Sequence, residues 1–321
     1  MGSSSRRQAA TQRFHDVGDR LSLLPGNLRG ILWMLLGGLF FTVMVTLIKL
    51  LGQRLDVTQI LLLRQCFMAA IVAPTIIYGL PASLITHHPM LHATRIVCAA
   101  TAMFCGFSAV IHLPLADATA IGFSKTFFVT IFAIIFLGET VGRHRWAATI
   151  IGFVGVLVIV RPGGEGGLNP YAVLAVLGAC GASCVMIIIR KLSQVERPVT
   201  ILTYQAVFVG VIMAPFAIWS WVTPTLTEWL LLGVIGISSW AGQMCNIRAF
   251  RAGEASAIAA FEYVRLLYAT VIGFLLFGDL PAYATYLGAA LIVIAAFYTA
   301  FREKQLGRSN ATRATVRADP P

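Results

Sequence analysis

The 321 residues are 58% hydrophobic and 12% charged, where an ordinary soluble domain is about 45–50% apolar and about 25% charged. That composition excludes a water-soluble globular chain. The formal net charge of +11 would suit a polyanion, but the basic residues stand at the ends of apolar runs and in two tails, so they are read as setting membrane topology and no nucleic-acid partner is expected.

Residues 1–29 are rich in Ser, Arg and Gln and lack the apolar segment of a cleavable signal, so they are expected to form a disordered tail. A spanning helix needs roughly 20 apolar residues, and ten such runs follow, at 30–51, 57–79, 90–111, 117–138, 145–161, 170–190, 198–221, 226–247, 255–278 and 282–301. The predicted fold class is therefore an all-α membrane protein. Residues 162–169, containing GGEGG from Gly163, read as a linker, and 302–321 as a second disordered tail. If the N-terminus is cytoplasmic, 17 of the 24 Lys and Arg fall on the inner side and only Arg54 and Arg161 on the outer. This asymmetry predicts that both termini are cytoplasmic. Trp219, Trp221 and Trp229 read as an aromatic belt at the outer boundary.

Two copies of about 140 residues are visible. IKLLGQ from Ile48 is answered by IRKLSQ from Ile189, ADATAI from Ala116 by GEASAI from Gly253, and IIFLGET from Ile134 by FLLFGDL from Phe274. The first repeat is expected over 30–161 and the second over 170–301. Each holds five spans, and because five is odd the second must enter the membrane from the opposite face. Inverted repeats of this kind build secondary transporters, whose substrate lies near the midplane between the repeats.

Five cations remain inside predicted spans: Lys49, Arg64, Arg95, Lys125 and Arg265. A charge near the bilayer centre costs about 2.5–3.5 kcal/mol on insertion scales, so it faces a cavity or a partner. Lys49 is near enough to a helix end to snorkel, Arg64 suits a structural contact, and Arg95 suits either snorkelling or a cavity wall. Lys125 and Arg265 lie roughly 12–15 Å deep at 1.5 Å per residue and correspond under the repeat offset of 140. They are the leading substrate-binding candidates. Glu262 is the one acid well inside a span. It either neutralises Arg265, three residues on, or binds a cationic amine or the coupling proton. The cationic surplus favours anionic or zwitterionic cargo, since guanidinium grips carboxylate with two hydrogen bonds. Tyr263 and Tyr268, Trp33, Tyr204, Gln205, Gln243 and Asn246 are further candidates, each of which equally suits helix packing. Asp117 and Glu254 open spans four and nine and read as helix caps.

The six cysteines lie inside apolar runs without a CxxC and read as packing residues. His88 and His92 flank Pro89 and are expected to be interfacial, with no metal site. No nucleophile elbow or phosphate loop occurs, so neither an enzyme nor a cofactor is expected.

HLPLADATAI from His112, FLGET from Phe136, GFVGVLVIVRPG from Gly152, FEY at Phe261, FGDLP from Phe277 and LGAALIVIAAFY ending at Tyr298 resemble, in this order and twice over, the EamA type of the drug/metabolite transporter superfamily. The resemblance spans residues 29 to 303. It implies ten transmembrane helices as two inverted five-helix repeats, moving a small metabolite across the plasma membrane by alternating access. It also implies a cavity including Arg95, Lys125, Glu262 and Arg265. Cargo in the family ranges over amino acids, organic acids, nucleoside derivatives such as S-adenosylmethionine, vitamins and toxic or drug-like compounds. The chain departs from the pattern at Ser124–Lys125–Thr126, where small residues and a proline are usual, and at Arg265, usually small or polar. The expected partners are a small metabolite and membrane lipids, with a homodimer left open.

Overall fold

The computed structural model describes residues 26–78, 86, 88–137, 143–160, 169–196, 198–252, 260–295 and 297–298. The tail segments 1–25 and 302–321, linker residues 162–168 and Glu254 lie outside them. The described helices are α1 (Gly26–Leu51), α2 (Val57–Tyr78), α3 (Pro89–His112), α4 (Leu115–Gly122), α5 (Lys125–Leu137), α6 (Arg143–Val160), α7 (Pro170–Val195), α8 (Pro198–Trp219), α9 (Leu226–Ala252), α10 (Val264–Phe277) and α11 (Tyr283–Ala295). A 3₁₀ turn, Ala260–Tyr263, leads into α10. No strand occurs among the described residues.

Local chemistry sets several boundaries. Pro89 and Pro170 open α3 and α7, where a missing amide donor costs nothing. The Asn169 side chain caps α7 by accepting from the Tyr171 amide at 2.9 Å. Pro114 bars its predecessor from helical geometry, so Leu113 is extended and α3 ends. Gly278, at φ 67°, closes α10 in the left-handed conformation that glycine adopts without penalty. The N-cap residue of α4 is Pro114, and Asp117 stands in the first turn, where a carboxylate suits the helix dipole; it also accepts from Thr285 of α11 at 2.7 Å and so ties the fourth span to the tenth.

Five segments among the described residues are at least 18 residues long and apolar enough to cross a membrane: Leu28–Leu51, Pro89–His112, Leu115–Phe136, Pro170–Ile189 and Leu226–Ala249. Four shorter apolar helices and the segment 260–277 complete the ten spans of a multi-pass membrane protein. Outward-facing side chains such as Ile135, Ile218, Leu230 and Leu275 are exposed hydrophobics of the kind lipid covers.

The packing displays the inverted repeat. The closest helix pairs are α1 with α9, α3 with α7, and α2 with α8. In repeat terms the first pair joins span one to span eight and the second joins span six to span three. These are images of each other, while spans two and seven pair on the axis. The match reaches individual atoms. A Cβ on Gly37 of α1 would sit 3.3 Å from the Gly242 carbonyl oxygen, and one on Gly178 of α7 would sit 3.2 Å from the Ala102 carbonyl oxygen. Small residues at both crossings let backbones touch. Pro74 in α2 and Pro215 in α8 are likewise equivalent interruptions.

Span four is interrupted between α4 and α5. Between α4 and α5 the amides of Ser124, Thr126 and Phe127 bond to the carbonyls of Ile121, Phe123 and Ser124, each three residues back. That is a 3₁₀ tightening within an apolar helix, a common mark of a functional hinge. In span nine the described residues open on the 3₁₀ turn Ala260–Tyr263, at the equivalent position of the second repeat. α5 begins at Lys125 and α10 at Val264, so the cations Lys125 and Arg265 stand at equivalent helix starts, each following 3₁₀ geometry.

Candidate substrate site

These two helix starts bring three charges together. Lys125 Nζ lies 2.7 Å from Glu262 Oε1, and Arg265 Nη1 lies 3.7 Å from the same oxygen. One carboxylate thus serves two cations, leaving a formal surplus of one positive charge. Each side chain keeps between a fifth and a quarter of its surface accessible. Aromatic rings surround them. The Arg265 guanidinium stands 5.2 Å from the Phe41 centroid and 5.8 Å from that of Phe123, and Lys125 Nζ stands 6.0 Å from Phe123. Tyr263 packs on Phe123, with centroids 4.7 Å apart. Gly38 leaves the space that the Arg265 stem crosses, since a Cβ there would lie 3.0 Å from Arg265 Cγ. The Ser183 hydroxyl donates to the Lys125 carbonyl at 2.8 Å, fixing the start of α5 against α7. Arg265 Nε and Ser124 Oγ are buried without a hydrogen-bond partner.

Lys125 and Arg265 line one cavity of about 240 Å³, walled by α1, α3, α4 and α7. Apart from Thr119 the rest of its lining is apolar or glycine, including Val45, Phe107, Val110 and Ala175. A larger cavity, about 310 Å³, lies between α2, α3 and α8. It carries no charge, and its wall includes the exposed Val97, Phe104 and Phe216, so it is a groove on the lipid-facing surface and not a polar site.

The other sequence candidates stand elsewhere. Arg95 is 1% exposed, donates to the Ile201 carbonyl at 3.0 Å and to the Gln205 side chain, and is absent from the cavity lining. Gln205 thereby joins a polar seam: its carbonyl accepts from Gln65 at 3.1 Å, and Gln65 accepts from Arg64, which also donates to Ser239 at 2.9 Å. Gln65 and Gln205 occupy equivalent positions of spans two and seven. Trp33 packs beneath the Arg248 guanidinium at 5.0 Å and beside Ala249. Asn246 lies against Gly37, and Gln243 is half-buried on α9; neither lines the cavity.

One expectation about charge is overturned. Lys49 does not snorkel to water: it is 7% exposed, donates to the Leu113 carbonyl at 2.9 Å and pairs with Asp279, with the Phe277 ring 4.7 Å away. Burial of the end of span one beneath the turn after α10 imposes this. His92, in the first turn of α3, is buried within the protein. It is 1% exposed and shares 2.7 Å with Glu196, which also accepts from Thr86, while its ring lies tilted against that of Tyr204 with centroids 4.5 Å apart. Near the Lys49 end, Arg54 donates to Glu228 at 2.6 Å, and that hydrogen bond raises its pKa further above the ordinary guanidinium value. Sequence reasoning missed the His92–Glu196 and Lys49–Asp279 pairs because their members are remote in the chain.

A bundle of two inverted repeats, helical throughout the described residues, with a cation at an equivalent helix start of each repeat beside one cavity, is the architecture of a membrane transporter. The family model for the EamA-like transporter family matches residues 28–161 and again 169–301. The chain is 30% identical to an S-adenosylmethionine uptake transporter of Rickettsia bellii, over 86% of this chain and 94% of that protein. It is 30% identical to a riboflavin transporter of Rhizobium johnstonii (88% and 94%) and 32% identical to a pseudopaline exporter of Pseudomonas aeruginosa (83% and 94%). A solved crystal structure aligns with a TM-score of 0.55 at 19% identity, over 84% of this chain and 97% of that one, which bears on the fold alone. The chain belongs to the EamA-like transporter family.

Proposed function

We propose that this protein carries a small anionic or zwitterionic metabolite across the plasma membrane by alternating access, with both termini cytoplasmic. The repeats 30–161 and 170–301, joined by 162–169, are the moving units. The observation that carries the reading is the convergence of Lys125 and Arg265 on one carboxylate beside a shared cavity. In an apolar wall a spare positive charge is costly unless an anion completes it, and an arriving carboxylate or phosphate does so. The acidic end of the cargo takes the place of Glu262 on Lys125 and engages Arg265. Glu262, released, reads an amine of the cargo or carries the coupling proton. Tyr263 and Phe123 form the ring surface beside it. The named cargoes of the relatives, S-adenosylmethionine, riboflavin and pseudopaline, are all small molecules, and their names include both uptake and export.

Reconstitution tests this. Purified protein in liposomes is expected to give saturable flux that is stimulated by cargo on the far side. Conductance that never saturates would instead identify a pore and overturn the reading. An exporter of toxic compounds is the competing function: resistance of expressing cells to uncharged apolar drugs, without flux of any acid, would favour it.

A further inference from the structure

The glycines around the cavity are of two kinds. A Cβ on Gly178 would lie 2.9 Å from the Gly106 amide nitrogen, and one on Gly181 would lie 3.0 Å from Ala102 Cβ and 3.2 Å from the Cys98 carbonyl oxygen. Those two let α7 rest on α3. Gly106 and Gly122 differ: both line the cavity, and a Cβ on either would meet nothing within 4 Å. Close packing therefore does not account for them. Backbone geometry does not either, because among the described residues only Gly278 has a positive φ. Both lie in helices, α3 and α4, where glycine is a weaker former than alanine. Two helical positions thus forgo side chains that the protein has room to hold, and the room they leave adjoins Lys125 and Arg265.

We propose that Gly106 and Gly122 set the size of cargo this transporter accepts, by reserving the part of the cavity that takes the body of the molecule. The inference rests on the reading that Lys125 and Arg265 hold an acidic end. It adds the other end: the walls beyond the two cations are Phe107, Phe123, Val110 and Ala118, with Thr119 as the one further polar side chain in the lining. The cargo is then an acid whose body is predominantly apolar and bulky enough to need both vacancies. Gly106 and Gly122 line the cavity from two different helices of the first repeat, α3 and α4, so each would restrict the body from its own wall.

The test uses the purified full-length protein and three carboxylates of increasing body size, acetate, benzoate and indole-3-acetate, with affinities from calorimetry. Gly106→Ala and Gly122→Ala are expected to melt no lower than the unaltered protein, since nothing obstructs the added methyl. Gly106→Leu and Gly122→Leu are expected to weaken indole-3-acetate by about tenfold or more, the range that pocket volume discriminates, while acetate changes little. Indole-3-acetate bound equally well by both folded leucine variants would overturn the proposal. If the leucine variants fail to fold, the alanine pair decides by the same ratio of large to small ligand. Lys125→Gln and Arg265→Gln separate the two readings: should they leave binding intact while the leucine variants still discriminate by size, the acid-end reading fails and the size filter stands. Should none of the three acids bind the unaltered protein, labelling of Gly122→Cys by a methanethiosulfonate reagent decides. Fast labelling that slows about tenfold when Gly106→Leu is added supports the reserved space; labelling no faster than that of the unaltered chain contradicts it.

Discussion

Glutamine at position 262 should harm this protein more than glutamine at position 125. With an effective dielectric constant of about 20, a unit pair at the 2.7 Å of Lys125–Glu262 attracts by about 6 kcal/mol, and one at the 3.7 Å of Arg265–Glu262 by about 4–5 kcal/mol. Desolvation offsets most of either gain, so net effects are smaller. Lys125→Gln removes one attraction and leaves Glu262 with Arg265. Glu262→Gln removes both and leaves two cations facing each other across an apolar wall. Because each group remains about a quarter accessible, we expect a loss of about 1–2 kcal/mol for Lys125→Gln and about 3 kcal/mol for Glu262→Gln, the lower end of what breaking a buried pair costs. The double variant should fall short of the sum by at least about 1 kcal/mol, as coupled neighbours do. Thermal melts of purified protein measure this, at about 2–4 °C per kcal/mol for chains of considerable size. Equal melting points for the two single variants, or strict additivity in the double, would refute the claim that one carboxylate serves both cations.

Gly178→Ala should lower the melting point by the equivalent of about 1–3 kcal/mol, because the added methyl meets α3 backbone that cannot turn aside. Thermal melting against Gly106→Ala, which meets open space, checks the contrast. Lys49→Met breaks the tie between α1, the Leu113 carbonyl and Asp279; leaving that carboxylate without its cation should cost about 2–4 kcal/mol, again by melting point. Arg54→Ala, at an exposed pair, should leave the melting point unchanged in high salt and alter it only slightly in low salt.

Hydropathy alone carried the ten spans, because a bilayer demands long apolar runs whatever their neighbours are, and the short repeated motifs carried the inversion. The repeat offset put Lys125 and Arg265 at equivalent depth, which is why both were expected at one cavity. The 3₁₀ tightening before α5 was not visible: FSKTFF contains no proline, and whether a helix tightens there depends on what lies beside it, such as Ser183 bonding the Lys125 carbonyl. His92 and Glu196 stand 104 residues apart, and Lys49 and Asp279 stand 230 apart. Neither pairing leaves a trace in local periodicity, which is why Lys49 was expected to snorkel and the partner of His92 was not foreseen. Trp33 and Arg95 have the composition of cavity residues, yet helix geometry turns one onto Arg248 and the other into the Ile201–Gln205 turn of α8.

The most direct measurement is ligand binding by Lys125→Gln and Arg265→Gln. A thermal-shift screen of the unaltered protein against amino acids, organic acids, nucleoside derivatives and vitamins supplies the ligands, and the two variants are then titrated with every hit. Each substitution is expected to weaken all anionic and zwitterionic ligands while both proteins remain folded. Full affinity for such ligands in both variants would contradict it.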